Sequence, residues 1–225
     1  MLTVGSLFSG AGLLDAGLTS AGFEHKWFCE IDPYCRDILK KRWPEADVYE
    51  DVRTLGVPPS VDVIAAGFPC TDISVIGKRA GIGGAKSGLW SEAARIIREL
   101  RPQFVIVENV PSLLVRGVNR VLGDLAASGY DAEWDCYPAA AFGAPHVRAR
   151  VWLVAYPVGF RNRLAQETVF AGRQGSFDNA WWETEPAVCR VDDGSPNRVD
   201  RLRALGNGVV APIAEHIGRM ILEAA

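Results

Sequence analysis

The amino-acid sequence predicts an α/β fold built on a mostly parallel sheet. Strand-like and helix-like segments alternate along most of the chain. The runs Val61-Asp62-Val63-Ile64-Ala65-Ala66, Phe104-Val105-Ile106-Val107 and Val151-Trp152-Leu153-Val154-Ala155 are almost wholly apolar, as buried strands are. The first two lead directly to Cys70 and Glu108, and strand ends are where ligand and catalytic groups sit in open parallel sheets.

The elements follow in order. Thr3-Val4-Gly5-Ser6-Leu7-Phe8 reads as a strand entering the turn Ser9-Gly10-Ala11-Gly12, and a helix with apolar positions at Leu13, Leu14, Gly17 and Leu18 comes next. Lys26-Trp27-Phe28-Cys29 is a second strand, ending at Glu30-Ile31-Asp32. Pro33 opens a helix that runs towards Trp43-Pro44, since its missing N–H would have no partner there in any case. Asp47-Val48-Tyr49 leads to Asp51-Val52, and beyond Pro58-Pro59 lies the strand that ends at Gly67. Residues 74–88 hold five glycines and no apolar period, which makes them a loop. Trp90 to Leu100 has helical spacing, stopped by Pro102 ahead of the Phe104 strand, and Val118 to Ala127 is another helix. Asp131 to Tyr137 alternates as a half-exposed strand does. Residues 157–200 are weakly periodic and rich in Gly, Asn, Arg and Asp, an irregular insert, before a helix over Val209 to Leu222.

Composition sets broad bounds. A chain of 225 residues, 48% apolar and 23% charged, supports one full core with a small appendage at most. No run reaches the length of a membrane span, and the N-terminus lacks a signal peptide's basic head and apolar stretch. Five cysteines, never spaced as CxxC, argue for a reducing compartment and against a disulfide framework or structural zinc, so the expected location is cytoplasmic. The net charge of -3 does not advertise a nucleic-acid partner, but it is unevenly spread. Residues 1–73 carry six Lys/Arg against eleven Asp/Glu, whereas residues 74–101 carry six against two. That basic island is either a seat for a phosphate backbone or a solvated helix face.

The Ser9–Gly12 turn lets a ligand approach the backbone at a helix N-terminus. Glu30, about eighteen residues beyond Gly12, ends the second strand where a carboxylate binds the hydroxyls of a ribose. Asp51 is a further candidate, for an adenine amino group. On these residues NAD and S-adenosylmethionine both fit, and a glycine turn serving only tight packing stays open. A lone cysteine is most often a small buried hydrophobe. At Cys70, however, Pro69 fixes the backbone before it, the following loop is polar, and the basic island favours a thiolate. Glu108 closes an apolar strand, so its carboxyl is either paired, for example with Arg148 or Arg150, or raised in pKa and suited to proton donation. Arg148 and Arg150, read as lying just ahead of the Val151 strand, hold a base oxygen or a phosphate, or else brace Glu108. His146 receives no catalytic role, and His25, His146 and His216 lack the spacing of metal ligands, so no metal is expected.

Taken in order, Phe8-Ser9-Gly10-Ala11-Gly12, Glu30-Ile31-Asp32, Asp51-Val52, Gly67-Phe68-Pro69-Cys70, Glu108-Asn109-Val110, Arg148-Ala149-Arg150 and Gly206-Asn207-Gly208-Val209-Val210 resemble the sequence blocks of the DNA (cytosine-5)-methyltransferases, in a short single-chain form of bacterial or phage type. The resemblance covers most of residues 1–155 and 201–222. It implies a Rossmann-like, S-adenosylmethionine-dependent methyltransferase sheet with helices on both faces and a small target-recognition insert. Residues 1–156 would form the catalytic and cofactor-binding domain, residues 157–200 the recognition region, and residues 201–225 a segment returning to complete the cofactor pocket. By match to the family, the cofactor would be carried by Phe8, Ser9, Gly10, Ala11, Gly12 and Leu13, by Glu30, Ile31, Asp51 and Val52, by Gly67, Pro69 and Leu89, and by Asn207, Gly208 and Val209.

The implied reaction methylates carbon 5 of a flipped cytosine. Cys70 would add at carbon 6 to make carbon 5 nucleophilic. Glu108 would contact ring nitrogen 3 and the exocyclic amine, and Arg150 would hold the base oxygen with Arg148 in support. A duplex base cannot reach such a pocket, hence the flip. Ser74, Lys78, Arg79 and Lys86 in the glycine loop, with Arg161 and Arg163 beyond, are the expected DNA contacts; Arg173, Trp181, Trp182 and Arg190 are further candidates. The implied partner is double-stranded DNA; whether a restriction endonuclease is a second partner is left open by the sequence. Thr71 and His146 stand where the family commonly has glutamine. The recognition region is shorter than the family norm, so a short or relaxed recognition sequence is expected, which bisulfite mapping of methylated cytosines tests. RNA cytosine-5 methylation and DNA binding without turnover are the alternatives; a nicotinamide-dependent oxidoreductase would leave the cysteine and arginine blocks idle.

Overall fold

A computed structural model describes residues 1–69, 89–160, 200 and 208–225. The candidates Cys70, Ser74, Lys78, Arg79, Lys86, Arg161, Arg163 and Asn207 lie outside the described residues, as do Arg173, Trp181, Trp182 and Arg190. Seven strands form one sheet: β1 (Thr3–Leu7), β2 (Glu24–Cys29), β3 (Asp47–Tyr49), β4 (Val63–Ala66), β5 (Phe104–Asn109), β6 (Tyr130–Pro138) and β7 (Ala149–Pro157). Their order is β3-β2-β1-β4-β5-β7-β6. Strands β1 to β5 pair in parallel, and β7 runs antiparallel to both of its neighbours. The sheet is therefore mostly parallel, as the alternation of elements predicts.

Helices cover both faces, because consecutive strand residues point to opposite sides. Ile64, Ala66, Val105 and Val107 pack with α3 (Trp90–Leu100) and with α5 (Val118–Ala127), which follows the short α4 (Leu113–Arg116). Val63, Ala65, Phe104 and Ile106 pack with α1 (Leu13–Ala21) and the C-terminal α6 (Ala211–Ala224). The remaining helix, α2 (Pro33–Arg42), starts as its sequence requires. Asp32 caps it by accepting from the Tyr34 and Cys35 N–H groups at 2.9 and 3.3 Å, and Pro33 occupies the first turn.

Several boundaries differ from the sequence reading. β7 begins at Ala149, so Arg150 lies inside the strand, opposite Tyr137 of β6, and not ahead of it. The antiparallel pairing with β6 carries the ladder past the end of the apolar run. β4 begins at Val63: the Asp62 N–H ahead of it donates to the Thr3 hydroxyl at 3.0 Å, and the Asp62 carboxylate accepts from the N–H and hydroxyl of Thr3 at 2.8 and 2.7 Å. Helix α4 and a 3-10 turn at Ala139–Phe142 were not legible, both being too short to show a period.

Close packing of α6 on α1 joins the C-terminus to the helix that begins at the glycine turn. A Cβ added at Gly17 would lie 2.3 Å from the Ala211 carbonyl oxygen and 2.6 Å from Ala214 Cβ. Backbone cannot yield as a flexible side chain can. Gly17→Ala is therefore expected to destabilise the protein by about 2 kcal/mol despite alanine's better helix propensity. A fall of roughly 4–8 °C in melting temperature would show it.

Candidate functional site

The strand order reverses between β1 and β4, the place where open α/β sheets bind ligands. The C-terminal ends of the parallel strands there surround a cavity of about 590 Å³. Its first wall is the turn after β1 together with the end of β2. Phe8, Ser9, Gly10, Ala11, Leu13, Glu30 and Ile31 all line it. Glu30 bridges the two turns: Oε2 accepts from the Gly10 N–H at 2.7 Å and Oε1 from the Asp32 N–H at 2.8 Å. Ile31 beside it is 58% exposed, an apolar face turned outward at the rim.

Asp51 and Val52 line the same wall. The Asp51 carboxylate is gripped by Arg53, whose Nε and Nη2 approach Oδ2 at 3.0 and 2.6 Å. These bonds hold the carboxyl below its ordinary pKa. Gly12 departs from expectation, as it does not line the cavity. It starts α1 in a left-handed conformation with φ of 73°, and a Cβ there would meet the Trp43 ring at 2.6 Å. Its glycine serves the turn and the packing of α2 on α1. Gly67, Pro69, Leu89, Gly208 and Val209 also line the cavity.

The opposite wall holds the acid–base groups. Antiparallel β7 brings its first residues to the rim where β5 ends, and so Arg150 meets Glu108. Arg150 Nε lies 3.0 Å from Glu108 Oε1. Arg148 Nη2 donates to the Gly208 carbonyl at 2.6 Å, tying the start of β7 to the segment before α6. Glu108 is only 8% exposed. Burial pushes its carboxyl up to about 7, against the pull of the Arg150 and Arg148 charges, so loss of hydration outweighs the ion pair.

The approach to Cys70 is fixed against this wall. A Cβ at Gly67 would sit 3.6 Å from Glu108 Oε2, so the chain passes beside the carboxyl three residues before the cysteine. Asn109 holds the next residue, its Nδ2 donating to the Phe68 carbonyl at 3.1 Å while its Oδ1 accepts from the Val110 N–H at 2.9 Å. Sequence reasoning placed Asn109 in a block without a role; an amide directly after a strand-ending carboxyl was the available signal. Cys29 also lines the cavity, but burial and the Glu30 and Asp51 charges push it up to about 12, so it stays a thiol. Among the described residues no group of three or more His, Cys, Asp or Glu could hold a metal ion, and no helix is long and apolar enough to cross a membrane.

The comparisons with known proteins converge with this geometry. The family model described as C-5 cytosine-specific DNA methylase matches residues 2–184. The type II methyltransferase M2.BsuMI of Bacillus subtilis is 35% identical over 162 residues, covering 68% of this chain and 42% of the relative. M.CviJI of Paramecium bursaria Chlorella virus is 30% identical over 187 residues, covering 81% and 49%. The chain thus spans about half the length or less of these curated relatives. Among solved structures, a protein described as a DNA modification methyltransferase, encoded within an E. coli prophage, superposes with a TM-score of 0.66 at 24% identity, over 84% of this chain and 56% of that one. The Dnmt2 methyltransferase of S. pombe gives 0.58 at 19%, over 70% and 51%. These likenesses establish the Rossmann-like methyltransferase fold. With a family model spanning most of its length, the chain belongs to the C-5 cytosine-specific DNA methylases.

Proposed function

We propose that the chain transfers a methyl group from S-adenosylmethionine to carbon 5 of a flipped cytosine in DNA, through a transient bond to Cys70. One observation carries the reading: a buried carboxyl, Glu108, paired with Arg150, stands beside the backbone leading to Cys70 and shares a cavity with the Glu30 wall.

The lining favours this cofactor over NAD. Glu30, Asp32 and Asp51 outnumber Arg53 on the first wall, with Glu50 paired to Arg36, so the wall is net negative, a field that repels a pyrophosphate and suits a cationic sulfonium nucleoside. Glu30 would take the ribose hydroxyls, Ile31 would pack on the adenine, and Asp51 would accept from its amino group. When bound, the cofactor supplies an electrophilic methyl group. The chain's own residues prepare the base to receive it. The Cys70 thiolate adds to carbon 6, Glu108 gives or shares a proton at ring nitrogen 3, and carbon 5 becomes an enamine-like nucleophile. Arg150 steadies the base oxygen while holding Glu108, and Arg148 anchors that strand end to Gly208. Loss of the carbon 5 proton then expels the cysteine.

Residues 157–200 would read the target, and the basic glycine loop would lie along the phosphates. Similarity to type II methyltransferases suggests a restriction–modification role. The test is methyl transfer from labelled S-adenosylmethionine into duplex DNA and, in parallel, transfer RNA. Label at carbon 5 of cytosine in DNA is expected. Label confined to RNA, or absent from both, would overturn the proposal.

A further inference from the structure

Arg36 belongs to none of the sequence blocks and takes no part in the chemistry above. It lies one turn into α2, and its guanidinium turns back beneath the end of β2. Nη1 donates to the Ile31 carbonyl at 2.7 Å and to the Glu30 carbonyl at 3.1 Å, while Nη2 lies 3.3 Å from Glu50 Oε1. The two carbonyls sit just past the last ladder contact of the strand, where the Glu30 N–H donates to the Tyr49 carbonyl at 3.0 Å. No further strand pairing orders the backbone there. The Arg36 side chain is 15% exposed, so these charge-assisted bonds form largely out of water. Glu50 is 69% exposed, so its ion pair adds little.

We infer that Arg36 is a positioning residue for the adenosine end of the cofactor. By gripping the Glu30 and Ile31 carbonyls it fixes the turn that presents the Glu30 carboxylate and the Ile31 side chain to the cavity. The Gly10 and Asp32 N–H groups hold the carboxylate, and Arg36 holds the Glu30 backbone carbonyl. Without it the turn can rotate, and each rotation moves the carboxylate off the ribose. A lysine ammonium, one nitrogen on a shorter stem, cannot span both carbonyls and Glu50 together.

The inference rests on the proposed use of S-adenosylmethionine. Calorimetric binding of S-adenosylmethionine and of its 2′-deoxyribose analogue to the wild type, Arg36→Ala, Arg36→Lys and Glu50→Gln tests it, with thermal unfolding recorded alongside. Arg36→Ala is expected to weaken S-adenosylmethionine binding about tenfold and Arg36→Lys about threefold, with Glu50→Gln within about twofold. For the 2′-deoxy analogue the Arg36→Ala loss should shrink to about fourfold, because one of the misplaced Glu30 contacts is already missing while the 3′-hydroxyl contact and the Ile31 packing remain to be lost. A general loosening of the fold would weaken both ligands equally. Equal losses, or no loss, would overturn the inference while leaving the cofactor reading intact. A wild type that binds neither ligand overturns that reading, and the inference with it. Should Arg36→Ala fail to fold, Arg36→Lys decides by the same comparison of ligands.

Discussion

Cys70→Ala is expected to lower methyl transfer to DNA by roughly 10⁴-fold or more, the scale seen when a covalent nucleophile is removed. Carbon 5 of cytosine is a poor nucleophile, and without an adduct at carbon 6 the ring keeps its aromaticity. No other described group in the cavity takes over. Cys29 lines it, but its thiol is pushed up to about 12 and stays protonated at working pH. Binding of S-adenosylmethionine should change by less than about twofold, because Gly10, Asp32 and Arg36 hold the Glu30 wall. Single-turnover methyl transfer and calorimetric binding on one preparation separate the two effects. A Cys70→Ala protein within tenfold of the parent would remove the nucleophile from the scheme.

Glu108→Gln should slow transfer by roughly 10²–10⁴-fold and flatten its pH profile. With its carboxyl pushed up to about 7, Glu108 carries a proton to give below that pH and loses it above. The wild-type rate should therefore show a falling limb above about pH 7, and a glutamine, which has no proton to transfer, should lack it. Stability carries the same signature. The folded pKa is raised from an ordinary 4.5, so the favourable contribution is complete below about pH 4.5 and is lost as pH climbs through about 7. Above that, the buried charge costs roughly 3 kcal/mol. The stability of Glu108→Gln relative to the wild type should thus rise between pH 5 and pH 8. Leaving Arg150 without its counter-ion shifts both ends of the comparison equally. Urea unfolding of both proteins at the two pH values measures it, and a constant difference would place the Glu108 carboxyl in an ordinary solvated setting.

Much of this arrangement was legible because burial leaves a plain signature in a parallel sheet. The run Phe104–Val107 could only be a covered strand, and a carboxyl at its end had to be paired or raised in pKa; it is both. Helices α3 and α5 were legible to the residue, since Pro102 stops the first and apolar spacing defines both. What stayed hidden depends on direction and on tertiary reach. An apolar run reads the same forwards and backwards, so nothing local announced that β7 is antiparallel, and it is this reversal that carries Arg150 to Glu108. Gly12 was grouped with the ligand loop because its neighbours belong there, yet its missing Cβ makes room for Trp43. Arg36 and Asn109 act through backbone carbonyls of other segments, and a bond to a carbonyl leaves no trace in the partner's residue type.

Incubation with duplex DNA carrying 5-fluorocytosine at the target position, together with S-adenosylmethionine, probes the covalent step most directly. Fluorine cannot leave as a proton does, so the cysteine should stay bound after methyl transfer. A stable complex with the mass of protein, DNA and one methyl group, its cross-linked peptide mapping to Cys70, is the expected result. An adduct at another residue, or methylation of ordinary cytosine with no trapping of the fluorinated base, would contradict the proposal that this sulfur opens the ring.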